Sequence, residues 1–376
     1  MNFTPRHFLS FAMLSIPSLV LAQSLVTFYG QTDASIRYAS NDDGSNKSVV
    51  KLGGSGIFSN KFGFKGEEDL GRQIKAVFQL EGGFGIDTGK LGAQSPGSNQ
   101  TNIFGRQSYT GLSGDFGALT MGRQYNALSV FYDFQPVGDH FFVGGDHFFS
   151  GYRLNNSLIY KKTQGSFSYQ LDYGFGEQAG SLARKSTWGG NLAYKNGHFH
   201  TAIAYLQNRS VDGSTIGRYA NIGASLVLTP SLSLSGGYAR NQESGGARRH
   251  REIAFASLAY MLTPVWGVFG SYYHYRQSSC NGNCNQVPGS PNNVSGGIDT
   301  TMAGYAVSPD KGKAHVITLI TTYDLSKRTK LYAETDWLLA RDGAARDHYY
   351  SVTAADAPQT RSMRQTNFMV GMKHAF

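Results

Sequence analysis

Apolar and polar residues alternate position by position, in segment after segment, along nearly the whole chain. A period of two admits only extended strands with chemically opposed faces. In SFSYQLDYGF one face carries Phe167, Tyr169, Leu171, Tyr173 and Phe175, and the other Ser166, Ser168, Gln170, Asp172 and Gly174. In KLYAETDWLL, Leu331, Ala333, Thr335, Trp337 and Leu339 oppose Lys330, Tyr332, Glu334, Asp336 and Leu338. In VTFYGQTDASIRY, Val26, Phe28, Gly30, Ala34 and Ile36 oppose Thr27, Tyr29, Gln31, Asp33, Ser35 and Arg37. The terminal NFMVGMKHAF repeats the pattern, with Phe368, Val370, Met372, His374 and Phe376 on one face. Ionisable groups stand in the middle of these polar faces. The 47 Gly, 22 Tyr and 24 Phe, against only 10 Pro, favour strands and tight turns over helices.

Two architectures produce such alternation. A soluble β-sandwich turns the apolar face inward and the polar face to bulk water. A membrane barrel does the reverse, presenting apolar residues to lipid and polar ones to a lumen. Three features choose the barrel. The segments run to about ten residues, the length of a tilted strand crossing a bilayer. Connections alternate between short turns (TPS at 229–231, LSKRTK at 325–330, YKNGHF at 194–199) and long polar stretches at 86–102, 124–152, 277–313 and 340–364. Aromatic residues gather near segment ends, where membrane girdles belong. Mean hydropathy is −0.31, and no later run of about 18 apolar residues could form a spanning helix.

The first residues, MNFTPRHFLSFAMLSIPSLVLAQS, combine a short basic start at Arg6, a largely apolar Phe8 to Leu21 and small Ala22. That is the anatomy of a secretory signal, so residues 1–22 are expected to be removed and 23–376 to form the barrel. Of 376 residues, 354 then remain, and loss of Arg6 lowers the formal charge from +9 to +8. The alternating segments number roughly sixteen, an even count within the bacterial range. The expectation is an all-β, 16-stranded antiparallel transmembrane barrel, too wide for side chains to fill and therefore water-filled. Its last strand must pair with its first, leaving no edge.

The chain resembles the Gram-negative general porins, trimeric outer-membrane diffusion channels. The resemblance is carried by VTFYGQTDASI, KFGFKGEEDLG, KAVFQLEGGFGIDTG, FGRQSYTGLSGDFGALTMGRQY, NNSLIYKK, QLDYGFGEQAGS and VGMKHAF, in that order. It implies a multi-pass outer-membrane protein, a homotrimer surrounded by outer-membrane lipid and lipopolysaccharide, and Phe376 as the signal read by the barrel-assembly machinery. The solutes implied are small hydrophilic molecules and ions. It also implies a third long loop folded into the barrel as a constriction. The matching stretch is YNALSVFYDFQPVGDHFFVGGDHFF, residues 125–149, which offers Asp133, Asp139 and Asp146. The opposing basic cluster maps to Lys61, Arg106 and Arg153, with Lys61 standing where the family usually has Arg. A compact ammonium replaces a planar guanidinium there, so stacking of the basic groups is looser.

Rings or arcs of Lys and Arg favour anions. At physiological salt the Debye length is about 8 Å, so only charges at the narrowest section act strongly on a passing ion. The positive balance, with Arg37, Lys65 and Lys75 on expected lumen faces, predicts a modest anion preference. A substrate-selective anion channel would need a continuous basic ladder, and the chain shows a cluster instead. An outer-membrane enzyme would need a nucleophile beside His198 and His200, and no such motif is present. A secreted β-sandwich adhesin would extract into aqueous buffer without detergent. Cys280 and Cys284 frame CNGNC and could form a small local disulfide in an exported chain. His140 and His147 read as solvated loop residues. No metal site, cofactor or nucleic-acid surface is expected, because GGFGID lacks a following helix and export removes the basic charge from nucleic acid.

Overall fold

The structure is a computed structural model, and it describes residues 25–41, 47–54, 56–91, 102–137, 152–244, 249–279, 310–344 and 362–376. The expected signal segment lies outside the described residues. Seventeen strand segments follow one another: β1 (Leu25–Ala39), β2 (Val49–Gly54), β3 (Lys61–Asp69), β4 (Lys75–Gly83), β5 (Gln107–Gly114), β6 (Gly117–Tyr125), β7 (Arg153–Gln164), β8 (Phe167–Gly174) and β9 (Thr187–Lys195). The second half contains β10 (Phe199–Arg209), β11 (Ile216–Thr229), β12 (Leu232–Ser244), β13 (Arg249–Thr263), β14 (Trp266–Gln277), β15 (Gly312–Asp324), β16 (Thr329–Asp342) and β17 (Ser362–Ala375). Each pairs antiparallel with its neighbours in one sheet. β3 pairs with the first half of β1, Leu25–Gln31, and β2 with the second half, Ala34–Ala39. These two segments are one stave broken in the middle, so the staves number sixteen, as expected.

The sheet closes through β1 and β17, in register from Gln31↔Ala375 to Ala39↔Asn367. At the end of that seam Gly30 and Phe376 exchange both backbone hydrogen bonds, at 3.1 and 3.0 Å. The Phe376 ring lies 5.7 Å from Phe28, itself 5.2 Å from Phe64, forming an aromatic row on the outer face. Gly30 makes this closure possible, because a Cβ there would sit 2.4 Å from the Phe376 ring and 2.8 Å from the Lys61 carbonyl oxygen. Gly30→Leu should therefore open the seam. Semi-native electrophoresis of refolded protein should show less of the compact, unheated form; an unchanged folded fraction would remove Gly30 from the closure.

Burial is inverted relative to a water-soluble protein. Leu171 (58%), Ile203 (52%) and Ile317 (47%) are exposed on the outer face, while Glu81 (2%), Arg106 (3%) and Asp336 (2%) are buried on the inner one. Only lipid outside and a polar lumen inside reconcile that pattern with the cost of hydrating apolar and burying charged side chains. One rim carries tight connections, such as 115–116, 165–166, 230–231 and 264–265. Gly165, at φ +59°, supplies the left-handed residue of its turn. The other rim carries the long connections, including 126–152 between β6 and β7.

The break between β2 and β3 folds inward. Backbone N–H groups of Gly56 and Phe58 donate to the Asp33 carboxylate at 3.1 and 2.9 Å, and the Tyr332 hydroxyl donates to it at 2.5 Å. Ile57 then packs against Ile320, Tyr332, Met369 and Val137. An apolar plug inside a polar lumen is thus anchored by one buried acid.

Candidate functional site

The connection after β6 begins inside the barrel. It opens with a 3-10 helix, Ala127–Phe134, capped by Asn126, whose side chain accepts from the Leu128 N–H. Eight residues is long for 3-10 geometry, which rarely sustains more than one turn by itself. Docking holds it. Leu128, Phe131 and Phe134 are buried against residues of β9 to β14, among them Ala204, Tyr219, Phe255 and Tyr273. Phe131 meets Phe255 edge-on at 5.3 Å, and Phe134 lies 4.8 Å from the His200 ring.

Two glycines receive those rings. A Cβ at Gly223 would stand 2.1 Å from Phe134, and one at Gly237 would stand 2.7 Å from Phe131. Polar contacts complete the dock. Asp172 accepts from the Ala127 N–H at 2.5 Å, Asn191 donates to the Ala127 carbonyl at 2.9 Å, and Tyr273 donates to Gln135 at 2.7 Å. The segment therefore lies across the lumen against the β9–β14 wall.

The basic residues singled out in the sequence come together at the root of this segment, on the β3–β7 side. Arg106 donates to Glu81 at 2.6 Å through Nε and to the Tyr125 hydroxyl at 3.0 Å. Arg153 donates to that same hydroxyl at 2.9 Å, with its guanidinium 4.7 Å from the Tyr125 ring centre. Lys61 Nζ is 3.6 Å from Glu81. Glu81 also accepts from Tyr29 at 2.9 Å, and the network continues through Gln79 to Tyr109. Local register explains the assembly: Gly63 faces Glu81, Glu81 faces Gln107, and Tyr125 faces Arg153 across successive strand pairs. Among the described residues, three cations gather at the loop root around one carboxylate.

Glu81 and Tyr125 were not singled out in the sequence. A signal was present: alternation in KAVFQLEGG places Glu81 on the same face as Lys75, opposite Ala76, Phe78 and Leu80. What it lacked was the stagger between neighbouring strands, which sets the residues that Glu81 meets.

The remaining candidates are distributed. Lys65 faces the lumen with Nζ 5.5 Å from the Tyr29 ring. Lys75 is tied to Glu67 at 2.6 Å near the turn rim. Arg37 is buried on the inner face, electrostatically coupled to Glu334 and Asp336. Asp133 is placed beside His200, at 4.0 Å, rather than against the arginine cluster. Burial pushes its carboxyl up from the usual range, opposed by His200 and Lys195. A chamber of about 740 Å³ opens there, lined by Asp133, Lys161, Lys195 and His200 among others. His198 sits in the turn before β10, and His200 points into the lumen. Asp139, Asp146, Cys280 and Cys284 lie outside the described residues.

A closed sixteen-stave barrel with lipid-facing apolar residues, a charged lumen and an internal loop defines a membrane channel. The chain belongs to the Gram-negative porin family, which matches it over residues 9–343. It is 29% identical to outer membrane porin protein 32 of Delftia acidovorans over 99% of both chains. An outer membrane porin of Bordetella pertussis is 28% identical over 83% of this chain and 88% of its own. Among solved structures, an anion-selective porin from Comamonas acidovorans superposes with a TM-score of 0.72 at 27% identity, covering 94% of this chain and 100% of its own. The protein is thus a multi-pass outer-membrane porin, a general diffusion channel for ions and small hydrophilic solutes.

Proposed function

We propose that permeation is restricted diffusion past a waist formed by the docked 126–137 segment and the Lys61–Arg106–Arg153 wall, with a modest preference for anions. The observation that carries this reading is the gathering of Lys61, Arg106 and Arg153 around one carboxylate, Glu81, among the described residues at the loop root. The two guanidinium groups are held by hydrogen bonds to Glu81 and Tyr125, so the field they make at the waist needs no reorganisation as an ion passes. The anion-selective character of the Comamonas relative supports the same sign. The protein works without a catalytic step, as a homotrimer inserted by the barrel-assembly machinery and bordered by lipopolysaccharide.

Purified protein in a planar bilayer under a salt gradient tests this. Stepwise conductance with a reversal potential of anion sign is expected. A cation-sign potential would remove the charge assignment, and no conductance from verified folded trimers would remove the pore. A substrate-selective channel would instead show current that saturates with one particular anion.

A further inference from the structure

Two histidines meet on the outer wall. His274 of β14 and His315 of β15 are direct partners across an antiparallel strand pair. Both point outward, because Tyr273, Tyr275, Ala314 and Val316, which flank them in sequence, are buried on the inner face. One level toward the tight-turn rim runs the exposed row Tyr272–Ile317–Trp337, and one level toward the long-loop rim Arg276 stands opposite Lys313. Exposed aromatic side chains mark the interface of a membrane barrel, so the pair stands where lipid tails give way to water. On the β13 side its neighbour is Ala254, whose methyl group leaves the rings open.

The geometry is closer to a chelate than to a hydrogen bond. The two Nδ1 atoms are 3.4 Å apart, whereas the ring centres are 4.7 Å apart and the planes tilted by 44°. The rings therefore lean together at their Nδ1 edges. An N–H donor usually closes on its acceptor to about 2.9–3.0 Å. Two imidazole nitrogens on one tetrahedral ion, each bonded at about 2.0–2.1 Å, stand about 3.3–3.4 Å apart. Tyr272 adds an oxygen, its hydroxyl lying 2.7 Å from His315 Nδ1. A phenol donating to that nitrogen leaves the ring proton on Nε2 and the Nδ1 lone pair turned toward the cluster.

We propose that His274 and His315, with the Tyr272 hydroxyl, bind a divalent transition-metal ion on the outer wall. The two Nδ1 atoms are its ligands, the phenol oxygen is the third, and water completes the shell. Two nitrogens with two oxygens suit Cu²⁺ and Zn²⁺. Ca²⁺ and Mg²⁺ need an oxygen shell, and neither histidine has a carboxylate partner among the described residues. Arg276 and Lys313, one level away, repel an ion held by charge alone, so the binding comes from coordinate bonds to nitrogen. The bound ion ties β14 to β15 at the base of the long connection 278–311. The site does not rest on ion selectivity, because none of its residues faces the lumen.

The test uses folded protein in detergent micelles, stripped of metal and titrated with Zn²⁺ against a chromophoric chelator. Loss of even a supporting residue costs a metal site about 10–100-fold in affinity. Loss of a ligand, in His274→Ala or His315→Ala, should therefore weaken binding about a hundredfold, and Tyr272→Phe about tenfold. The controls His198→Ala and His250→Ala should bind as wild type. With Cu²⁺ as the probe, electron paramagnetic resonance should show splitting from two nitrogens in wild type and none in the double histidine variant. Zn²⁺ should also raise the unfolding temperature of wild type and leave that of the double variant unchanged, because the ion binds only the paired strands. If the alanine variants do not fold, His315→Gln should show the same hundredfold loss. Equal Zn²⁺ affinity in wild type and the histidine variants overturns the proposal. So does a one-nitrogen Cu²⁺ spectrum in wild type, or displacement of Zn²⁺ by an equal concentration of Ca²⁺. Single-channel conductance should be the same in every variant, which separates this result from a failure of the channel reading.

Discussion

Gly223→Leu should raise single-channel conductance and admit larger solutes. A side chain at this position would collide with Phe134 at 2.1 Å from its first carbon, before any larger branch is considered. The ring cannot retreat into the wall, because Ala202 and Ala204 of β10 are already packed there. It must leave, and the 3-10 turn that carries it must leave with it. Expelling one buried Phe forfeits about 3–5 kcal/mol, more than an eight-residue 3-10 helix can hold without its dock. Phe134→Ala removes the same contact from the other side without the collision, so it should raise conductance in the same direction but less. Sugar-permeation rates in liposomes provide the second readout, since a displaced segment lifts the size limit while a merely destabilised barrel loses all flux. If conductance is unchanged in Gly223→Leu, the docked segment does not set the waist.

The second expected result concerns charge. Glu81→Gln leaves Lys61, Arg106 and Arg153 without their carboxylate, while a glutamine amide can still accept from Tyr29 and Arg106. One unit charge at about 4 Å is worth about 1 kcal/mol in bulk water and more in a narrowed lumen. The anion-to-cation permeability ratio should therefore rise about fivefold or more. Arg106→Glu should move the ratio the opposite way, toward no preference, because it replaces one of the three cations at the loop root with a second carboxylate beside Glu81. Reversal potentials across the same salt gradient measure both. Shifts in the same direction for the two variants would mean that the network sets structure and not selectivity. Arg106→Glu also places two carboxylates in contact, so the folded variant should melt at lower temperature than Glu81→Gln.

Much of this was legible without coordinates. Period-two alternation exposes which side chains share a face, and the faces assigned to β1, β8 and β16 match those observed residue for residue. Closure followed from the requirement that a spanning sheet have no edge. The broken second stave was not legible: no sequence signal set residues 56–60 apart, and their inward fold depends on Asp33 and Tyr332, which are 299 residues apart. The dock of the constriction segment was equally hidden. Gly223 and Gly237 look like any two of the 47 glycines until β11 and β12 are brought under Phe134 and Phe131.

The sequence by itself determined the strands, their lipid and lumen faces, the even stave count and the family, because these depend on residue order along one chain and on the polarity of the two solvents. Only the tertiary structure decided that Glu81 joins Lys61 to Arg106, that Tyr125 joins Arg106 to Arg153, and that Asp133 lies by His200. Those contacts depend on the stagger between neighbouring staves, a quantity that no single strand carries and that is fixed only when the sheet closes.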